Sequence, residues 1–146
     1  MGVAGSGKTT IGEELARRLG WSYEDGDKFH PKANVEKMSA GQPLTDEDRW
    51  PWLRSIAEWI KEQAGRRGGV ITCSALKRRY REPLGGAAPG RVFFLHLDGT
   101  RAVIAARLAD LEALGPDEPG TVINIGVSPE EILTLALEAT EGQTPG

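Results

Sequence analysis

Apolar residues recur along the chain in patterns that predict alternating helices and strands. Ile11, Leu15 and Leu19 are spaced by four residues and predict an amphipathic helix that ends at Gly20. One short alternating run and three continuous apolar runs predict strands, at residues 21–25, 70–73, 92–97 and 121–125 respectively. Because these strands alternate with helices, we expect an α/β fold with a parallel sheet that is covered by helices on both faces.

Two further helices are predicted by the residues at their starts. Thr45 with Asp48 forms an N-cap and an acidic third helical position, and this helix should end by Gly65. Ser128 with Glu131 repeats the arrangement, with a proline at the first helical position. The apolar residues of these helices are Leu53, Ile56 and Ile60 in the first and Leu133, Leu135 and Leu137 in the second.

The bulk composition is that of an ordinary globular protein. The 146 residues fit one domain, 1–146, with a tail at 141–146 that we expect to be frayed. A net charge of −3 argues against a general nucleic-acid binder, whose binding surface would be basic. One cysteine, Cys73, indicates a reducing compartment, and no apolar run is long enough to span a bilayer. We therefore expect a cytoplasmic protein with no membrane or nucleic-acid partner.

Residues 2–9 match the phosphate-loop pattern G-x-x-x-x-G-K-[ST] completely. In such a loop, backbone N–H groups and the start of the following helix hold the phosphates of ATP. Lys8 would reach the terminal phosphates and Thr9 would bind Mg²⁺. The residues predicted to bind the nucleotide are Gly2, Ala4, Gly5, Ser6, Gly7, Lys8, Thr9 and Thr10. The alternative is a flexible glycine-rich terminus, and the amphipathic helix that follows argues against it.

A phosphate loop should follow a buried strand, but only Met1 precedes Gly2 in this sequence. Without that strand, the sheet would lose its middle and the loop its anchor. We therefore expect the first strand to be missing from this sequence, and the alternative is a damaged protein.

Two carboxylates follow the strand at 21–25. Ligands of open α/β sheets bind at the carboxyl ends of strands. Asp25 could hold Mg²⁺ through water, and Asp27 could accept the proton of a hydroxyl group that attacks the γ-phosphate. The alternative is a solvated turn, which the pair alone does not exclude.

A basic cluster follows the strand at 70–73 and is predicted to lie on a short helix: Lys77, Arg78, Arg79 and Arg81. It could be a solvated face or a nucleic-acid contact, but the acidic chain favours a local anion site. In a helix, Lys77 and Arg81 share a face and could bind one carboxylate or phosphate together, with Arg49 as a third cation.

The remaining candidates have more ordinary interpretations. His30 could bind a hydroxyl group or cap its own loop, and His96 lies in an apolar strand that predicts a core position. Two histidines and one cysteine at scattered spacing make no transition-metal site. We interpret Trp50, Trp52 and Trp59 as packing residues.

Several segments together resemble the gluconate kinase (gluconokinase) family. Besides the phosphate loop, they are Asp25-Gly26-Asp27, His30-Pro31, Lys37-Met38, residues 41–44, residues 46–49, Pro51-Trp52-Leu53, residues 73–77 and Tyr80-Arg81. They occur in the family's order and cover most of the chain. The part from Asp25 to Leu53 is much more discriminating than the phosphate loop.

This resemblance implies a P-loop NTPase three-layer sandwich like that of nucleoside-monophosphate kinases. It also implies ATP-dependent phosphorylation of D-gluconate to 6-phosphogluconate, a requirement for Mg²⁺, and a homodimer. By similarity, Lys8, Asp27 and Arg107 would be catalytic, with Arg107 also stacking on the adenine. The residues expected to bind the substrate are Asp27, His30, Arg49, Lys77 and Arg81.

The sequence departs from the family after Arg107. Members carry a lid there, whereas here Ala109 and Asp110 join the two sides directly. We expect a gap near 108–110, and the alternative is a lidless form with one continuous helix capped by Thr100. Two rival functions remain open. One is a kinase for another hydroxy acid such as shikimate, and the other is a nucleotide-binding module without transfer activity.

Overall fold

The computed structural model describes residues 8–75, 77–98, 114–124 and 128–141. Their elements, in chain order, are α1 (Lys8–Leu19), β1 (Ser22–Asp25), a 3-10 helix (Gly26–Phe29), α2 (Lys32–Ser39), α3 (Asp46–Ala64), β2 (Gly69–Thr72), α4 (Arg78–Gly86), β3 (Phe94–Asp98), β4 (Gly120–Asn124) and α5 (Pro129–Glu141). All four predicted strands are therefore confirmed, with ends shifted by one or two residues.

The strands form two parallel pairs. β1 pairs with β2 so that Asp25 lies opposite Thr72, and β3 pairs with β4 so that Asp98 lies opposite Asn124. Helix α1 packs against β1, β2 and α5, and so connects the first pair to the second half of the molecule. This parallel pairing confirms the predicted α/β class, and it brings the carboxyl ends of β1 and β2 together.

Two apolar clusters make the core. One joins α1 to β3, β4 and α5 through Leu15, Leu97, Ile123 and Leu133. The other packs α3 against α4 and β2, and its members include Trp52, Leu53, Ile56, Tyr80 and Leu84. Each buried side chain of this size stabilises the fold by roughly 1.5–3 kcal/mol. The second cluster is the one that supports the predicted substrate residues.

An apolar cavity of about 350 Å³ is lined by residues of α1, β2 and β3. Its walls include Leu15, Val70, Ile71, Phe94 and Leu95. The strand expected before Gly2 itself stays a prediction.

Both predicted N-caps are confirmed as reciprocal capping boxes. The Thr45 N–H donates to Asp48 Oδ2 at 2.9 Å, and the Asp48 N–H donates to Thr45 Oγ1 at 3.2 Å. Ser128 and Glu131 exchange the same two hydrogen bonds at the start of α5. These bonds satisfy N–H groups that a helix start would otherwise leave unpaired.

Some predictions fall outside the described residues. They concern residues 2–7, the Lys8 side chain, the helix capped by Thr100, Arg107, the junction at 108–110 and residues 142–146. Among the helices that are described, none combines the length and the apolar character needed to cross a membrane.

Candidate functional site

The turn of Asp25, Gly26 and Asp27 lies at the carboxyl end of β1. Asp25 Oδ1 accepts a 3.0 Å hydrogen bond from the Asp27 N–H, which caps the 3-10 helix. Gly26 is buried, and a Cβ at that position would lie 2.6 Å from the carbonyl oxygen of Thr72. Only glycine therefore fits between the turn and β2. The packed backbone presents the Asp27 side chain at an exposed position.

Trp52 supports this turn from α3. Its indole N–H donates to the carbonyl oxygen of Gly26 at 2.7 Å, and its side chain is fully buried. The same ring stacks on His30, with 4.3 Å between the ring centroids and 13° between their planes. Trp52 is therefore a packing residue, as predicted, and it also connects the Asp27 turn to His30.

The charges of Asp27 and Arg49 both act on the His30 ring. Burial lowers the pKa of His30, the Asp27 carboxylate opposes that shift, and the Arg49 guanidinium adds to it. The ring is therefore neutral near pH 7. The structure thus brings together an exposed acid, a neutral half-buried histidine and a cation, all predicted to bind substrate.

Three cationic side chains surround the ring of Tyr80. The Arg49 Cζ lies 5.3 Å from the ring centroid, and Lys77 Nζ and Arg79 Cζ each lie 5.7 Å from it. The ring face attracts cations, which offsets part of the repulsion between them. Two of the predicted substrate-binding cations, Arg49 and Lys77, therefore lie against the same ring.

Asp46 fixes the position of Tyr80 and balances part of this positive charge. The Tyr80 hydroxyl donates to Asp46 Oδ1, and Arg79 forms an ion pair with the same carboxylate. The hydrogen bond from Tyr80 lowers the pKa of Asp46, and the charges of Arg79, Lys77 and Arg49 lower it further. Burial, followed by the bond to Asp46, raises the pKa of Tyr80. Tyr80 is therefore a neutral hydrogen-bond donor near pH 7.

Arg81, which was expected to bind the substrate, is buried in this structure. Its side chain is 0% exposed, and it donates from Nε and from a terminal nitrogen to Glu118 at 2.7 and 3.0 Å. Lys77 lies at the N-cap of α4, beside the ring of Tyr80. The helical spacing is as predicted, but the face that carries Arg81 packs into the interior.

Thr9 and Asp25 offer the oxygen ligands that Mg²⁺ prefers. Thr9 is exposed in the first turn of α1, next to Thr10, which is also exposed. Asp25 is half-buried and uses Oδ1 to hold the backbone of Asp27. In chemical type, these oxygen donors suit a hard divalent ion.

Sequence reasoning missed the supporting roles of Asp46, Trp52 and Tyr80, and it missed the side-chain contact between Asn34 and His30. Asn34 follows His30 by four residues, a spacing that could have suggested a contact. Tyr80 stands among basic residues, which could have suggested a cation–π centre. The Asp46–Tyr80 hydrogen bond joins residues 34 positions apart, and no local pattern indicates it.

Comparison with known proteins places this geometry among small-molecule kinases. A family model described as Shikimate kinase matches residues 4–134. The gluconokinase of Gluconobacter oxydans is 46% identical, over 91% of this chain and 84% of its own length. The gluconokinase of Arabidopsis thaliana is 36% identical, over 94% of this chain and 88% of its own.

Two solved structures resemble the whole chain. An unliganded sugar kinase from Janibacter sp. HTCC2649 is 41% identical with a TM-score of 0.87, covering 100% of this chain and 96% of that one. A gluconokinase from Sinorhizobium meliloti 1021 is 36% identical with a TM-score of 0.86, covering 97% and 89%. At 17% identity and a TM-score of 0.57, the shikimate kinase of Aquifex aeolicus supports the P-loop kinase fold alone.

Proposed function

The chain belongs to the gluconokinase family, and on that premise we propose that it transfers the γ-phosphoryl group of ATP to D-gluconate, giving 6-phosphogluconate. The observation that carries this proposal is the arrangement around His30. The charges of the exposed Asp27 carboxylate and of Arg49 both act on that ring. Arg49 and Lys77 both lie against the ring of Tyr80. Phosphorylation of a hydroxy acid requires a base that accepts the hydroxyl proton and cations that bind the carboxylate.

Asp27 is the general base in this proposal. The side chain is exposed at the carboxyl end of β1, and its backbone is held by Asp25 while Trp52 holds the adjacent Gly26 carbonyl. A carboxylate fixed at such a point can accept the hydroxyl proton as the substrate oxygen attacks phosphorus. Positioning also contributes, because phosphoryl transfer depends on alignment of the attacking oxygen.

Arg49 and Lys77 are the proposed ligands of the gluconate carboxylate. The buried Arg49 Nε has no hydrogen-bond partner among the residues that the structure describes. An unsatisfied buried donor is costly. A carboxylate bound beside Arg49 would accept a charge-assisted hydrogen bond from its guanidinium group. Arg81, which is held by Glu118, is left out of this set.

The nucleotide side of the site is proposed from the phosphate-loop motif. The residues that would bind ATP are Gly2, Ala4, Gly5, Ser6, Gly7, Lys8, Thr9, Thr10 and Arg107. Thr9 and Asp25, the latter through water, would hold Mg²⁺. When bound, this ion neutralises negative charge on the phosphates. Lys8 and Arg107 would stabilise charge on the transferring phosphoryl group.

We further propose a single kinase domain over residues 1–146 that works as a homodimer in the cytoplasm. The net charge of −3 supports a small-molecule substrate rather than a nucleic acid. The oligomeric state can be measured by light scattering of the purified protein.

A coupled ADP-release assay with ATP and Mg²⁺ tests the proposal against a panel of hydroxy acids. The panel contains D-gluconate, stereoisomeric sugar acids, shikimate and glucose, which lacks the carboxylate. We expect a clear preference for D-gluconate over every other compound. Preference for shikimate would support the description of the matching family model instead. Nucleotide binding without turnover on any compound would identify a binding module.

A further inference from the structure

Asn34 is a buried amide between His30 and the start of α3. It is 3% exposed, and its side-chain nitrogen donates to the carbonyl oxygen of Asp48 at 2.8 Å. The same nitrogen lies 3.2 Å from Nδ1 of His30. Asn34 therefore uses one NH₂ group to contact two different elements.

These two contacts determine where the His30 ring carries its proton. A carbonyl oxygen only accepts hydrogen bonds, so the group of Asn34 that faces Asp48 must be the NH₂ and not the amide oxygen. Its second hydrogen then points to His30 Nδ1, which must accept with a lone pair. A neutral imidazole has one ring proton, and that proton must be on Nε2.

The remaining contacts fix the ring and keep it neutral. Stacking on Trp52 sets the ring plane, and the Asn34 bond sets its rotation within that plane. Protonating Nδ1 would place an N–H group against the Asn34 NH₂. Of the neighbouring charges, Arg49 also disfavours the imidazolium and Asp27 favours it.

The Nε2 atom has no hydrogen-bond partner among the described residues, and its N–H is therefore available to a ligand. We propose that Asn34 is a positioning residue that holds His30 in the Nε2–H tautomer, so that His30 donates a hydrogen bond to an oxygen of the sugar acid. This inference rests on the proposed function for the identity of the acceptor. The tautomer itself is a property of the free protein.

The first experiment reads the tautomer without substrate. The chain has two histidines, His30 and His96, so a long-range ¹H–¹⁵N correlation spectrum of ¹⁵N-histidine-labelled protein is assigned by the loss of one ring in His30→Gln. We expect the Nε2–H pattern for His30 at neutral pH. In Asn34→Ala we expect a mixture of tautomers, whereas a merely structural Asn34 would lower the melting temperature and leave the ring pattern unchanged. An Nδ1–H or doubly protonated ring in the unmodified protein overturns the proposal.

The second experiment compares two amides at position 30 and leaves Asn34 unchanged. Glutamine places its NH₂ near the position of Nε2, whereas asparagine reaches only to about Nδ1. We expect His30→Gln to keep the gluconate KM within about threefold and His30→Asn to raise it about tenfold, because the hydrogen bond to the sugar-acid oxygen is lost. The ATP KM should not change in either.

The outcomes separate this inference from the proposed function. Equal effects of the two amides overturn the donor role even if gluconate is the substrate. If the unmodified protein does not phosphorylate gluconate but shows the Nε2–H pattern, the proposed function fails and the tautomer assignment stands.

Discussion

The indole N–H of Trp52 donates to the carbonyl oxygen of Gly26 at 2.7 Å inside the core. We expect Trp52→Phe to cost about 1–3 kcal/mol of unfolding free energy, because a buried carbonyl group loses its partner. We also expect kcat to fall, because the turn that presents Asp27 loses its support. Urea unfolding and the kinase assay measure the two effects separately.

A matched control for Trp52→Phe is Ile132→Val in the other core cluster, which should cost about 0.5–1.5 kcal/mol. We expect this control to lower stability and leave kcat at the level of the unmodified protein. If both variants reduce kcat in proportion to their loss of stability, Trp52 has no specific connection to the site.

The buried ion pair of Arg81 and Glu118 predicts that two neighbouring acidic residues, Glu118 and Asp117, differ in their contribution to stability. We expect Glu118→Ala to destabilise the fold by roughly 3–5 kcal/mol, because the buried guanidinium loses the carboxylate that holds it. The neighbouring Asp117 pairs with Arg78, where both side chains are exposed, and Asp117→Ala should cost about 0–1 kcal/mol. Equal melting temperatures for these two variants would contradict the assignment of Arg81 to the interior.

Local features were predictable from the sequence because their determinants are close together in the chain. The capping boxes at Thr45 and Ser128 depend on residues three positions away, and the strands depend on short apolar or alternating runs. The position of Asp27 followed from its place directly after β1. These predictions needed no knowledge of the other elements.

The features that the sequence did not predict depend on contacts between residues that are far apart in the chain. Spacing placed Arg81 on a face of α4, but burial of that face depends on Glu118, which is 37 residues away. In α5, Leu133 is 5% exposed and Leu135 is 46% exposed, because residues two apart lie on nearly opposite sides of a helix. The catalytic assignments of Lys8 and Arg107 stay predictions.

Acid should weaken the start of α3 through Asp48. Lys37, followed by the backbone N–H of Thr45, lowers the pKa of Asp48 from 3.8 to about 2. Because the folded pKa lies below the unfolded value, the ionised carboxylate contributes stability above pH 4, and this contribution is lost as the pH falls from about 4 to about 2. Denaturation midpoints measured across this range should therefore decrease toward low pH.

The variant that isolates this effect is Asp48→Asn, which cannot ionise. We expect its stability to lie below that of the unmodified protein at neutral pH and the difference to shrink as the pH approaches about 2. A difference that stays constant with pH would mean that the Lys37 ion pair does not stabilise the fold.

The strongest effect on turnover is expected at Asp27. Asparagine keeps the size of the side chain but cannot accept the hydroxyl proton, so Asp27→Asn should reduce kcat by about 10²–10⁴ and leave the ATP KM unchanged. Glu47→Gln removes an exposed acidic group from the first turn of α3 and should retain full kcat. Stopped-flow or steady-state measurement of ADP release compares the two variants at equal protein concentration. Near-normal turnover in Asp27→Asn would exclude this carboxylate as the base and leave phosphoryl transfer to positioning and charge alone.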